Sequence, residues 1–268
     1  GFNCQLLPWN QSYTLEEMQE LIDTTDLFVT TPHGWRLLGY NYKIFDPRQC
    51  VVIGHSKLDM EELIQLHGLG DFDKFHKYGA VSEWLSNVSL QLGVTRPAFV
   101  TPLGINTSNF YSKPNESLST VGCMNLGQVG VHQKIKRPWL LEIATQRAGL
   151  KIKAAASYHH SFITMPGFYK KVDAVLIAST EEGAGLPLLE AGAAGKLVIS
   201  TPVGHYTRVG QKGADFVPIK EDEFIEKTVE LLSYYKSNLE QYRQRCLEIQ
   251  HHAQSYDWKY VIDKWVEI

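Results

Sequence analysis

Two glutamates eight residues apart, Glu182 and Glu190, bracket a run of small residues in the stretch Ser179-Thr180-Glu181-Glu182-Gly183-Ala184-Gly185-Leu186-Pro187-Leu188-Leu189-Glu190. Small residues let a ligand approach the backbone, and N–H groups at a helix start attract anions. A carboxylate beside such a loop needs a reason. A ligand carrying both phosphates and vicinal hydroxyls supplies one. The N–H groups take the phosphates and the carboxylates accept hydrogen bonds from sugar hydroxyls. That is the shape of a nucleotide sugar. An isolated pair of glutamates is more often a helix cap and a solvated surface group, so the surroundings must decide.

The surroundings favour the ligand. Ala174-Val175-Leu176-Ile177-Ala178 precedes the stretch and has the length of a buried strand. Leu197-Val198-Ile199-Ser200 follows as a second strand, after Ala191-Gly192-Ala193-Ala194-Gly195. Pro187 suits the first helical turn and Gly195 the position just past the helix end. Strand, glycine loop, helix, strand is a βαβ unit with parallel strands, and it puts both glutamates toward one crevice. Upstream, Lys136 and Arg137 stand immediately before a helix that Pro138 opens. Two cations at a helix start make a diphosphate site, although such pairs on their own are commonly solvated loop charges.

The run EGAGLPLLE, with its flanking strands, resembles the donor-binding motif of retaining GT-B glycosyltransferases, and family 4 is the closest match. The resemblance extends over most of the chain. Ile53-Gly54-His55 is similar to a strand end that carries a histidine in that family. Ala80-Val81-Ser82-Glu83 resembles its "AVSE" helix start. Thr101-Pro102-Leu103-Gly104-Ile105-Asn106, with Phe110 following, resembles its "PNGVD…F" hinge, with Leu103 and Asn106 in place of the usual Asn and Asp. The closing run from Tyr256 to Trp265 resembles its last helix. Two departures stand out. The family's opening strand, glycine loop and helix are not found, so the first domain reads as abbreviated. Gln128, after Gly127, stands where the family prefers an arginine.

The resemblance implies two Rossmann-like α/β domains with the active site in the crevice between them. The expected division is an acceptor-side domain over 1–107, a nucleotide-sugar domain over 108–255 and a C-terminal helix over 256–268 that crosses back. It implies transfer of a sugar from a nucleoside diphosphate sugar to a carbohydrate or glycolipid acceptor, with retention and without a metal or other cofactor. In this reading Gly183, Ala184, Gly185 and Leu186, with Lys136 and Arg137, hold the diphosphate, and Glu190 holds the ribose. Glu182 orients the sugar, and His55 contacts the donor sugar or helps activate the acceptor. His33, Gly34 and Trp35 are acceptor-side candidates. Trp35 could stack on a sugar ring, although core packing is the commoner role of a tryptophan. His159 and His160 follow a strand over 151–155 and read as solvated loop residues. Asp71-Phe72-Asp73 spells the metal motif of the unrelated GT-A enzymes, but no apolar strand precedes it, and it reads as a turn.

The rest of the chain agrees with an α/β protein. Thr14-Leu15-Glu16-Glu17 is a capping box that opens a helix over 15–24. Short apolar runs at 27–30, 50–53, 78–81, 98–100 and 121–124 alternate with helical patterns. Residues 125–136 read as a loop, and 162–171 as a weak helix. Apolar residues from Ile225 to Ile249 recur at three and four, with a break at Ser237, where Ser237-x-x-Glu240 spells a second capping box. The 268 residues allow one large domain or two small ones, and a net charge of −3 gives no reason to expect nucleic acid. Cys4, Cys50, Cys123 and Cys246 are scattered without metal-type spacing and read as reduced thiols of a cytoplasmic protein. No apolar run spans a bilayer, which leaves peripheral membrane contact open.

Rival functions are a nucleotide-sugar-binding protein that has lost transfer, a sugar-nucleotide epimerase of the same fold, and a phosphorylase. The last needs a pyridoxal phosphate lysine, and none can be placed. A Rossmann dehydrogenase is disfavoured because no Gly-x-Gly-x-x-Gly follows a strand.

Overall fold

The structure is a computed structural model that describes residues 3–7, 11–32, 34, 46–96, 98–124, 130–155, 163–206 and 212–267. The chain packs as two compact units. One covers Gly1–Val81 and Leu85–Thr101, the other Ser82–Trp84 and Pro102–Glu267.

In the first unit the capping box at Thr14 forms in full. Thr14 Oγ1 accepts from Glu17 N–H at 3.1 Å and Glu17 Oε2 accepts from Thr14 N–H at 2.7 Å. Helix α1 (Leu15–Thr24) follows and buries Met18 and Ile22. Strands β1 (Phe28–Thr30) and β2 (Cys50–Gly54) come next, then α2 (Lys57–His67), β3 (Lys77–Ala80), α3 (Glu83–Gln91) and β4 (Phe99–Val100). The four strands pair in the order β1-β2-β3-β4, all parallel. Strand β2 is buried along its whole length, as an inner strand covered on both faces must be.

The second unit opens with α4 (Thr107–Phe110) and β5 (Thr120–Met124). Helices α5 (Val131–Lys136) and α6 (Pro138–Arg147), strand β6 (Lys151–Ala155) and the short α7 (Met165–Tyr169) lead to β7 (Ala174–Ile177). Then come α8 (Leu186–Ala193), β8 (Leu197–Ser200), β9 (Asp215–Phe216), α9 (Glu221–Ser237), α10 (Leu239–Gln254) and α11 (Trp258–Val266). The sheet order is β6-β5-β7-β8-β9, again all parallel. Val175, Leu176, Leu197, Val198 and Ile199 have no exposed surface. Each such side chain contributes about 1.5–3 kcal/mol by leaving water, so β7 and β8 anchor the unit.

Both sheets are of the parallel α/β class that the alternating pattern predicts. Two local expectations are corrected. Residues 131–136 form α5 rather than continuing the loop, and Arg137, in a left-handed conformation (φ 47°), separates it from α6. The second capping box does not form. Helix α10 starts at Leu239, so the capping position is Asn238, one residue past Ser237, and its side chain caps nothing there. Asn238 Nδ2 instead donates to Tyr234 O at 2.8 Å, back into α9.

Candidate donor site in the second unit

Strand β5 lies between β6 and β7, so the connections after β5 and after β7 leave toward opposite edges of the sheet. In open parallel sheets that switch point opens a crevice at the carboxyl ends of the strands, where ligands bind. A pocket occupies this place. Met124 and Ile177, the last residues of β5 and β7, line it with Lys136, Ser179, Glu182 and Pro187.

Lys136 and Glu182 meet there. Lys136 Nζ is 2.5 Å from Glu182 Oε1, and Ser179 Oγ donates to the same oxygen at 2.7 Å. The two charged side chains keep 20% and 15% of their surface exposed, so the pair is shielded yet reachable from solvent. The backbone holds the two segments in register, with Thr180 N–H donating to Ile135 O at 2.9 Å.

Arg137 is not a partner of Lys136 at this pocket, which corrects its assignment as a second diphosphate cation. Its guanidinium is buried. Nε donates to Ala178 O at 2.7 Å, Nη1 donates to Ile219 O, and the group lies over the Phe224 ring at 5.9 Å. A left-handed conformation costs an L residue about 1–2 kcal/mol. The hydrogen bonds to Ala178 O and Ile219 O offset that cost. Nη2 is buried without a partner among the described residues, and burial lowers the guanidinium pKa.

The glycine loop ends at Gly185, the N-cap of α8, in a left-handed conformation (φ 73°) that favours glycine. No side chain caps this first turn; Pro187 has no N–H and Leu188 N–H donates to Gly185 O at 2.9 Å, which leaves Leu186 N–H as the donor of the turn among the described residues. A second loop supports this one from behind. His205 N–H donates to Ala184 O at 2.9 Å. Gly204 has φ 64°, and a Cβ there would stand 2.7 Å from the Ala184 carbonyl carbon, so only glycine allows the approach. The His205 ring is buried against Tyr256, and burial pushes its pKa down to about 4, which keeps it neutral.

Glu190 sits apart from the ion pair. It lies about one turn into α8, does not line the pocket and is only 5% exposed. Tyr169 OH donates to Glu190 Oε2 at 2.8 Å. Burial raises the carboxyl pKa and the tyrosine hydrogen bond opposes that rise. The expectation that Glu182 and Glu190 share one open crevice is thus modified: one is in the pocket, the other beneath the surface of the same helix unit.

His55 is exposed just past the end of β2, in the first unit. Gly34 N–H donates to Thr31 Oγ1 at 3.1 Å. His33, Trp35, Gly127, Gln128, His159 and His160 lie outside the described residues. Asp71-Phe72-Asp73 is at a tight turn, with Phe72 in the core. Among the described residues no group of three His, Cys, Asp or Glu could hold a metal, and no helix is long and apolar enough to cross a membrane. Sequence reasoning missed Ser179, Tyr169 and Gly204. Gly204 was the most legible, as a glycine four residues past the strand end at Ser200.

Residues 129–234 match the family described as Glycosyl transferases group 1. No curated protein matches the chain. Several solved structures share the fold over 94% of this chain. Sucrose-phosphate synthase from Thermosynechococcus elongatus is 13% identical, with a TM-score of 0.71 over 75% of its own chain. HepE from Anabaena, solved with UDP and glucose, is 13% identical, with a TM-score of 0.68 over 80% of its chain. TarM from S. aureus, solved with fondaparinux, alpha-GlcNAc-glycerol and UDP, is 12% identical, with a TM-score of 0.68. This chain spans 57% of TarM. At such identities the likeness is one of fold: two parallel Rossmann-like sheets of the GT-B kind.

Proposed function

We propose that this chain is a GT-B glycosyltransferase of the retaining, family 4 kind that takes its sugar from a nucleoside diphosphate sugar, with UDP as the carrier, and needs no metal. The observation that carries the reading is the Lys136–Glu182 ion pair at the β5/β7 switch point, beside the uncapped first turn of α8. UDP enters the proposal from the complexes of the similar folds HepE and TarM.

The chemistry follows from the residues. A departing nucleoside diphosphate gains negative charge as the glycosidic bond breaks. Lys136 and Leu186 N–H at the start of α8 supply positive charge for it. The Lys136 ammonium is paired with Glu182. A bound diphosphate replaces the carboxylate as its partner, and Glu182 is released toward the hydroxyls of the transferred sugar. Glu190 accepts from the ribose hydroxyls. On the resemblance alone, His55 contacts the donor sugar or helps activate the acceptor, and His33, Gly34 and Trp35 are the candidates on the side of a carbohydrate or glycolipid acceptor. No protein nucleophile is required in this reading.

Loss of Arg137 to backbone carbonyls favours a second reading. Lys136 is then the one cation among the described residues that line the pocket, and a weaker phosphate clamp suits binding without transfer. Release of UDP from UDP-sugars, measured with and without a panel of acceptors, separates the two. Acceptor-dependent release supports transfer; tight binding with no release supports the binding protein; release without any acceptor is hydrolysis and counts against both.

Lys136→Ala checks the phosphate assignment. It should weaken UDP binding about tenfold or more, the worth of a hydrogen bond to a charged group, and leave uridine binding unchanged. Equal losses for both ligands in calorimetry would contradict the assignment.

A further inference from the structure

We propose that Tyr169 is a positioning residue for the nucleotide: its hydroxyl fixes Glu190 so that one carboxylate oxygen is committed inside the protein and the other is presented to the ribose hydroxyls. The inference rests on the reading of Glu190 as the ribose acceptor.

Glu190 is an unusual residue for its place. It is buried among Leu188, Leu189, Ala191 and Ala193 of α8, none of which is more than 2% exposed. No cation pairs with its carboxylate among the described residues, and Tyr169 makes the carboxylate's only hydrogen bond among them. A buried carboxylate with so little compensation is destabilising compared with an apolar side chain of similar size. Stability therefore gives no reason for a glutamate here, whereas recognition of a diol does. A carboxylate has two oxygens and about four acceptor sites, and the protein fills one of them on Oε2.

Tyr169 is built to hold that one. It ends α7 in the crossover before β7 and is fully buried. Its ring is set edge-on against Phe168 at 5.5 Å and Phe110 at 5.9 Å, so the hydroxyl cannot swing away without breaking the core. Burial and the nearby carboxylate raise the tyrosine pKa well above its ordinary value, so the hydroxyl stays protonated and donates. The effect on Glu190 is twofold. The hydrogen bond selects one orientation of the carboxylate. It also favours the ionised form against burial, and Tyr169 is the one titratable group of the described residues that bears on this carboxyl.

The sign of the pH effect follows. Ribose hydroxyls prefer the ionised carboxylate, so affinity is full above the Glu190 pKa and falls as pH drops through it. Burial has already raised that pKa, and removing the tyrosine hydroxyl raises it further. The acid limb of nucleotide binding then moves to higher pH.

The test compares wild type with Tyr169→Phe, which keeps the ring and removes one oxygen. Calorimetry is run with UDP and with 2′,3′-dideoxy-UDP, across the acid-to-neutral range. The expected result is a wild-type preference for UDP that shrinks about tenfold in Tyr169→Phe, with the acid limb shifted upward and the dideoxy affinity unchanged. An unchanged preference and an unchanged acid limb overturn the proposal. Equal losses for both ligands also overturn it, because they mark a packing role only. A wild type that binds UDP and its dideoxy analogue equally well refutes the ribose role of Glu190 itself, which is a separate failure and is recognisable as such.

Discussion

Glu182→Gln lowers turnover about 10- to 100-fold while affinity for UDP holds or rises. The substitution keeps size and a hydrogen-bond acceptor and removes charge. In the wild type the carboxylate is held by Lys136 Nζ and Ser179 Oγ on a single oxygen, Oε1. A neutral amide releases Lys136 to the diphosphate, so ground-state binding has nothing to lose. Transfer does. The sugar gains positive charge as its bond to the diphosphate breaks, and a carboxylate at its hydroxyls strengthens its contact at that moment. A contact made stronger in the transition state lowers the barrier without tightening binding. Loss of a charged hydrogen bond is worth roughly 1.5–3 kcal/mol, which sets the expected range. Steady-state kinetics at saturating donor, beside calorimetry with UDP, reads both halves. A variant that keeps turnover and loses affinity would reverse the division of labour between the two glutamates.

Glu190→Gln shows the opposite balance: UDP affinity falls about tenfold, and turnover at saturating donor is nearly kept. Gln is the informative substitution because Tyr169 OH still finds an acceptor. Glu190→Ala would leave that buried hydroxyl unpaired and open a cavity, and stability loss would obscure the effect. On the proposed reading the ribose is bound alike in ground state and transition state, so an acceptor for it contributes to affinity and little to the chemical step. Calorimetry and kinetics on one preparation suffice, and an unchanged UDP affinity in the folded variant would remove Glu190 from the site.

How much of this was readable in advance follows from how local each signal is. The βαβ unit around Glu182 was legible because its parts are near in sequence: apolar runs, Pro187 in the first turn and Gly195 past the end. The parallel sheets were legible from alternation alone. Arg137 was misread because a dipeptide Lys-Arg before a helix carries no sign of which side chain turns inward. The left-handed backbone at Arg137, set by carbonyls 41 and 82 residues away, decides it. Tyr169 was invisible for the same reason. Its partner is 21 residues on, across a crossover and a strand, and no spacing rule links them. The second capping box failed by one residue, since α10 begins at Leu239 and puts Asn238, not Ser237, at the capping position.

The central claim is that the β5/β7 crevice of the second unit binds a nucleoside diphosphate through its phosphates. Calorimetric titration of the wild-type chain with UDP, UMP and uridine tests it most directly. The account predicts that UDP binds tightest, with affinity falling about tenfold or more from UDP to uridine as the contacts of Lys136 and of the α8 first turn are lost. Uridine binding as tightly as UDP, or no binding of UDP at all, would contradict it.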